Sequence, residues 1–350
     1  MTVIIKKVAV FLKVLDYPSS RKVHKNPTPL LGGLAIFLSF VATILLGVFL
    51  IKANIVPEFI REYIPGIKIV SGKLLAILAG GFLVVSFGLI DDIIELKPLQ
   101  KLSLQILAAL IVFSVGIRIS LFVPNIYFSF IFTLGWLILM MNSFNLLDNM
   151  DGLSSGIAFI CGSILFILAF CMGQIFVATI LAVFLGSVAG FLKHNFPPAK
   201  IFMGECGSSF LGYFLGASAI LMTFYRYEAN KSFLPLLIPL IVFSVPFFDT
   251  LSVIWIRKKR KLPIFKADKN HLSHRLVSFG MTNKESVLLI YFLTLCTGMG
   301  ALQLKDMSFW GGILVLIQTG IIIGIVGILE HTVRKRNGGD KIWREEHGLK

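Results

Sequence analysis

The sequence predicts an all-α fold: a polytopic membrane bundle of about ten transmembrane helices, carried by a single domain over residues 1–350. Three observations point there. Hydrophobic residues make up 56% of the chain and the mean hydropathy is +0.88, which suits a chain dissolved in lipid rather than water. Apolar runs of roughly 17–25 residues, the length that crosses hydrocarbon as a helix, recur from end to end. Lys and Arg gather in alternate connections between those runs.

Taken in order, the runs fall near 29–51, 73–90, 102–118, 126–143, 154–172, 174–192, 208–225, 233–256, 285–302 and 308–330. The first follows Pro27 and Pro29, which hold an extended approach, and opens on Gly32-Gly33, where backbone can come close to a neighbour or an anion. The second ends at Asp91-Asp92, and Pro98 precedes the third. The fourth and fifth flank a polar stretch at 142–153, and Pro197-Pro198 follows the sixth. Gly204 and Gly207 lead into the seventh, with Ser208 or Ser209 as its cap, and Arg257–Lys261 closes the eighth.

Ten crossings place both termini on one side. That side collects 25 of the 33 Lys and Arg residues and the other holds eight, so it is read as the cytoplasm, with 1–28 a cytoplasmic N-terminal segment and 331–350 a cytoplasmic tail. The net charge of +15 is therefore a topology signal that also attracts anionic lipid or substrate, and no nucleic-acid partner is expected. Lys6, Lys7 and Lys13 interrupt Met1–Leu15, so no cleavable signal peptide is expected. The four cysteines show neither metal nor disulfide spacing; Cys161, Cys171 and Cys296 are expected to be small buried side chains.

The same side carries the chemistry. Asn142, Asn145, Asp148 and Asp151 recur at three-residue steps, which on a helical end places them on one face. A carboxylate in hydrocarbon costs roughly 2.5–3.5 kcal/mol, so such a stripe implies something to bind. Asp91-Asp92 is a pair of adjacent like charges that a hard divalent cation such as Mg²⁺ would offset. Asn195, Lys200, Phe202 and Glu205 lie in a proline-stiffened loop before a helix start suited to phosphate. His271, His274 and Arg275 form a set suited to phosphate oxygens, and Arg21, Lys22 and His24 form a basic segment ahead of the first span. Asp249, inside the eighth run, is expected to pair with a cation or face the site.

These five separated motifs, in this order from Arg21 to Leu276, resemble the polyprenyl-phosphate N-acetylhexosamine-1-phosphate transferases (glycosyltransferase family 4), and within them the undecaprenyl-phosphate GlcNAc-1-phosphate branch. The resemblance implies a cytoplasmic cleft open to lipid in the bacterial inner membrane. It implies transfer of N-acetylhexosamine-1-phosphate from a UDP-N-acetylamino sugar to undecaprenyl phosphate with release of UMP, Mg²⁺ as cofactor with Mn²⁺ as a substitute, and it admits a homodimer. It assigns Asp91 and Asp92 to the lipid phosphate and metal, and makes Asp92, Asp148 and Glu205 the metal set. Asn142, Asn145, Asp148 and Asp151 fall on the nucleotide side, Asn195 and Phe202 at the uracil, and His271, His274 and Arg275 at the diphosphate. Lys200, Arg21, Lys22 and His24 are expected to bind substrate.

Three departures stand out: Glu205 replaces the usual Asp, Ser273 replaces a middle His, and the chain starts close to its first motif, with Met1–Leu15 read as the remnant of a first spanning helix or as preceded by an upstream start. A transporter of a nucleotide-sugar or phosphorylated substrate is the rival class, and would place ionisable residues at mid-membrane on broken helices. A structural scaffold would not need the clustered acids, and a CDP-alcohol transferase would show a paired Asp-Gly pattern that is absent.

Overall fold

Apolar runs without water to solvate their backbone must satisfy it internally, and here they do so as helices. In the computed structural model, which describes residues 1–16, 27–224, 233–263 and 270–336, fourteen α-helices supply nearly all regular structure. The chain packs as two compact units, Met1–Thr223 and Phe224–Lys350.

The first unit holds α1 (Thr2–Phe11), α2 (Gly32–Lys52), α3 (Glu58–Arg61), α4 (Ile64–Ile94), α5 (Pro98–Ser114), α6 (Ile126–Leu147), α7 (Leu153–Cys171), α8 (Ile175–Asn195) and α9 (Gly204–Leu221). A two-residue antiparallel pair, β1 (Leu15–Asp16) with β2 (Thr28–Pro29), ties the segment after α1 to the start of α2. Helix α1 is short, and its Ile5 and Ala9 pack against Leu31 and Ala35.

Helix α9 stands at the centre: every residue from Cys206 to Ala219 is buried. Small residues make this possible. A Cβ on Gly33 would lie 2.1 Å from the Gly207 nitrogen, one on Gly88 2.2 Å from the Cys206 Cα, and one on Gly212 2.3 Å from the Met140 carbonyl oxygen. Helices α2, α4 and α6 therefore meet α9 backbone to backbone. Farther along, Phe184 stacks on Phe214 at a centroid distance of 4.4 Å and Phe40 meets Phe214 edge-on at 4.9 Å.

The second unit holds a 3₁₀ turn (Leu234–Leu237), α10 (Ile238–Val242), α11 (Ser244–Lys259), α12 (Leu272–Ser278), α13 (Asn283–Leu304) and α14 (Phe309–Arg336). The run expected as one span at 233–256 is broken: the chain bends by 66° between Leu234–Val242 and Ser244–Lys259. Pro246 has no N–H to donate to Val242, which removes the hydrogen bond that would carry a helix across Phe243.

All ten expected spans coincide with helical segments. Among the described residues seven helices are long and apolar enough to cross a bilayer, and the bent pair makes eight if counted as one span. Helix α5 falls short by length: its 17 residues reach about 25 Å. Helix α9 carries Gly and Ser where its neighbours approach. The chain is thus a multi-pass membrane protein. Cys161 is buried as expected and Cys296 half-buried, but Cys171, at the end of α7, is exposed.

Candidate active site

In the first unit the polar residues meet where α4, α6 and α8 end and where α5, α7 and α9 begin. Helix termini leave backbone groups without intrahelical partners, and here side chains from other elements take them up. Asp92, in the last turn of α4, accepts the Glu205 N–H at 2.7 Å and the Cys206 N–H at 3.4 Å, closing the N-terminus of α9. Gly204 turns the chain into α9 at φ +75°, and a Cβ there would sit 2.4 Å from an Asp92 oxygen, so glycine is required on both counts. Asp91 is buried and accepts the Leu96 N–H at 2.7 Å. Lys101, in the first turn of α5, donates to Asp91 at 2.7 Å and to Glu205 at 2.6 Å, so one ammonium joins carboxylates 114 positions apart in the chain.

The 142–153 stretch closes α6 and opens α7. Asn142 donates to Gln105 of α5 at 2.9 Å, and Asn145 to Ser208 of α9 at 3.2 Å. Asp151 accepts the Ala199 N–H at 2.9 Å. Asp148, the C-cap of α6, donates its N–H to the Asn145 carbonyl at 3.1 Å, while its carboxylate has no hydrogen-bond partner among the described residues. Burial, reinforced by the charges on Asp92 and Asp151, pushes its pKa up to about 8. Asn195 is buried and fully committed: its oxygen accepts from Gly152 N–H at 3.0 Å and Ser155 Oγ at 2.9 Å, while its amide donates to the Ile201 carbonyl at 3.0 Å. Gly32 and Gly33 spend their N–H groups on the carbonyls of Phe202 (2.9 Å) and Met203 (2.8 Å), so the glycine pair serves a close backbone neighbour.

In the second unit Asp249 is 1% exposed on α11. It accepts the Leu272 N–H at 2.6 Å, capping α12, and its other oxygen lies 2.9 Å from His271 Nδ1. Arg275 donates to Ser252 at 2.8 Å, with the same guanidinium nitrogen 3.9 Å from Asp249. The expectation that Asp249 would pair with a cationic side chain is met in this cluster. Ser273 is buried, and its carbonyl accepts from Ser286 of α13 at 2.9 Å.

Residues 74–223 match the profile of the group described as glycosyl transferase family 4. A Bacillus subtilis protein, "Probable undecaprenyl-phosphate N-acetylglucosaminyl 1-phosphate transferase", is 32% identical over 96% of this chain and 90% of its own length. The chain belongs to glycosyl transferase family 4. A Mycolicibacterium smegmatis relative, "Decaprenyl-phosphate N-acetylglucosaminephosphotransferase", is 31% identical over 96% of this chain and 86% of its own. A Clostridium kluyveri "Phospho-N-acetylmuramoyl-pentapeptide-transferase" is 35% identical over 44% of this chain and 46% of its own.

The family 4 match contains the whole acidic cluster of the first unit. That unit brings together Asp91, Asp92, Asp148, Asp151, Asn145, Asn195 and Glu205, with Asn142 one hydrogen bond away through Gln105. Lys200 is exposed with its N–H donated to His194, and Phe202 is half-buried. His271, His274 and Arg275 lie in the second unit at α12. Arg21, Lys22 and His24 lie outside the described residues. Glu205 reaches Lys101 at 2.6 Å.

Among the described residues no three His, Cys, Asp or Glu side chains already form a metal cage. Magnesium needs none, since it is commonly held by one or two carboxylates plus substrate phosphates. The electrostatics fit that mode: the Asp148 carboxylate has no hydrogen-bond partner among the described residues and is short of positive charge beside Asp92. Sequence reasoning left Lys101 and Gln105 out of the site. Lys101 carried a legible signal, since it and Lys97 are the cations that follow the Asp pair. Both residues line a small pocket, with Asp91, Glu205 and Ser209 beside them and Val84, Phe87, Leu96 and Leu104 as its apolar wall.

Proposed function

We propose that this protein transfers GlcNAc-1-phosphate from UDP-GlcNAc to undecaprenyl phosphate, releasing UMP, as the first membrane step of a cell-surface glycan pathway. The names of the long-matching relatives support the donor and the polyprenyl acceptor. The observation that carries the reading is the meeting of Asp91, Asp92, Asp148 and Glu205 at one end of the first unit, with Lys101 bridging Asp91 and Glu205.

Transfer between two anionic phosphates needs alignment and charge neutralisation more than covalent help. Lys101 supplies a fixed ammonium, held from both sides by Asp91 and Glu205. Both Asp91 oxygens are engaged, so we assign it to orienting Lys101 rather than to taking the lipid phosphate's proton. Asp92 fixes the first turn of α9, and Asn195 fixes the 195–203 loop that carries Lys200 and Phe202 to the nucleotide. Asp148 with Asp92 would hold Mg²⁺, which when bound neutralises phosphate charge and polarises the phosphoryl group. In this reading the lipid phosphate attacks directly, without a covalent enzyme intermediate. Counting α5 and α9 as crossings beside the seven long helices and the bent pair gives the ten spans proposed for the bacterial inner membrane. Both termini and this site then face the cytoplasm.

The test supplies purified protein, Mg²⁺ and undecaprenyl phosphate with a panel of UDP-sugars and reads released UMP. UDP-GlcNAc should be turned over fastest, and Asp148→Asn should abolish the signal. UDP-sugar uptake into vesicles without UMP release would replace the transferase by a transporter. UMP–UDP-GlcNAc exchange without lipid would refute direct attack.

A further inference from the structure

Helix α1 supplies no residue to the site described above, and its faces carry three different chemistries. Thr2, Ile5 and Ala9, at helical spacing, are buried. Thr2 donates to the Gly190 carbonyl at 3.5 Å, while Ile5 and Ala9 pack on Leu31 and Ala35. Ile4, Val8, Phe11 and Leu12 form a second face, apolar and open, with Phe11 85% exposed. Lys6 and Lys7 lie on the remaining arc, and Lys13 follows the helix.

The backbone sets the level and the reach of this helix. Gly190 lies in the last two turns of α8 and Leu31 is the N-cap of α2. Those two ends adjoin, since a Cβ on Gly32 would lie 2.2 Å from the Phe191 ring. Both ends of α1 therefore touch the end of the first unit that carries the site, and the helix lies across that end rather than alongside the bundle. It also stops firmly: the Val14 N–H returns to the Ala9 carbonyl at 2.9 Å, with Lys13 left-handed at φ +55°. The chain then doubles back through β1 and β2 into α2. Ten helical residues reach about 15 Å, half of the roughly 30 Å of hydrocarbon.

Charge identifies what the open apolar face meets. Residues 1–31 hold six Lys or Arg and one acid, Asp16. Lys6 acts on His194 together with Lys193 and Lys200, so the basic surface continues onto the end of α8. An apolar face edged by lysines, level with the helix ends of a membrane bundle, matches the boundary between acyl chains and anionic headgroups. We propose that α1 is an in-plane interfacial helix seated on anionic phospholipid of the leaflet on the site's side. Ile4, Val8, Phe11 and Leu12 enter the upper acyl chains, and Lys6, Lys7 and Lys13 meet the phosphates. Gly32 and Gly33 follow Leu31 directly and hold the Phe202 and Met203 carbonyls, so the seated helix braces the loop that frames the site.

The experiment uses full-length protein in phosphatidylcholine nanodiscs containing a minor fraction of phosphatidylglycerol. A fluorescent amino acid is placed in turn at Ile4 and Phe11 and quenched by lipids brominated at graded depths. The two positions share a face and stand about 10 Å apart along the helix axis. Both should report one depth, just below the headgroups. Depths differing by about 10 Å, or no quenching at either position, overturn the in-plane seat. At equal mole fraction, brominated phosphatidylglycerol should quench the Phe11 probe as if enriched at least about 5-fold over brominated phosphatidylcholine, the equivalent of one lysine at a charged surface. That enrichment should vanish in Lys6→Gln/Lys7→Gln/Lys13→Gln with the depth unchanged. Equal quenching by the two lipids in wild type, or enrichment that survives the triple substitution, overturns the anionic partner. If the triple variant does not fold, the wild-type comparison still decides. Neither readout uses turnover, so the result is independent of the transferase reading.

Discussion

Replacing Gly88 by alanine adds one methyl group and tests how tightly the site's floor is built. That methyl would lie 2.2 Å from the Cys206 Cα and 2.5 Å from its nitrogen, both backbone atoms that no rotamer change can move. Restoring an ordinary contact of 3.4 Å requires α4 and α9 to separate by about 1.2 Å. Asp92 lies one helical turn beyond Gly88, and its 2.7 Å bond to the Glu205 N–H would stretch towards 4 Å. Overpacking costs roughly 1–3 kcal/mol and loss of a helix cap about 0.5–2 kcal/mol. A displacement near 1 Å at a reacting centre costs on the order of 100-fold in rate. Gly88→Ala should therefore lose roughly 2–4 kcal/mol in denaturant unfolding of the detergent-solubilised protein, and UMP release should fall about 100-fold. Gly135→Ala is the control, because nothing lies within 4 Å of its Cβ position and helix propensity alone should stabilise it by roughly 0.5–1 kcal/mol. A Gly88→Ala protein as stable and active as Gly135→Ala would refute the contact between α4 and α9.

Asp148, with its folded-state pKa near 8 against an ordinary 3.8, takes up a proton on folding between those values, so the cation-free protein loses stability as pH rises through about 8. The rise in thermal midpoint caused by Mg²⁺ should accordingly grow between pH 6 and pH 8.5 and vanish in Asp148→Asn. Lys101→Met leaves Asp91 and Glu205 facing each other without their ammonium, and should abolish turnover, with partial recovery of stability but not of rate when Glu205→Gln is added. Asn195→Ala strands the Gly152 N–H, the Ser155 hydroxyl and the Ile201 carbonyl, and should cost roughly 2–4 kcal/mol in unfolding while raising KM for UDP-GlcNAc. Single cysteines placed at exposed Lys97 and Lys200 should react with an impermeant thiol reagent from the cytoplasmic face only, and one at Asn54 from the opposite face; labelling of Lys97→Cys and Lys200→Cys from different faces would end the shared-site argument.

Much of this was legible because membranes make two features expensive to hide. Apolar length announces a helix, so all ten runs marked from the sequence coincide with helical segments. Charge beside lipid announces a purpose, which singled out Asp91, Asp92, Asp148 and Asp249. Contacts across long sequence separations were not legible. Nothing in the chain order links Lys101 to Glu205, or says that Asp92 spends its oxygens on the start of α9. The Gly32-Gly33 pair fitted either an anion or a neighbouring backbone, and only the Phe202 and Met203 carbonyls decide for the latter. The bend at Phe243 was masked by uniform hydropathy, although Pro246 marked it. Cys171 was misjudged because an apolar run says a residue is near lipid, not that protein covers it.

The stitch between residues 29–33 and 202–203, three backbone hydrogen bonds with no side chain involved, has a practical corollary for anyone re-engineering this protein. Because it reads only spacing, it tolerates changes of residue type at half-buried Phe202, though not at Met203, whose side chain is buried against Gly207, and not a single added or deleted peptide unit between Lys200 and Gly204. Tags, reporter insertions and domain grafts belong elsewhere, and a library that varies Phe202 while keeping the loop's length leaves this stitch intact.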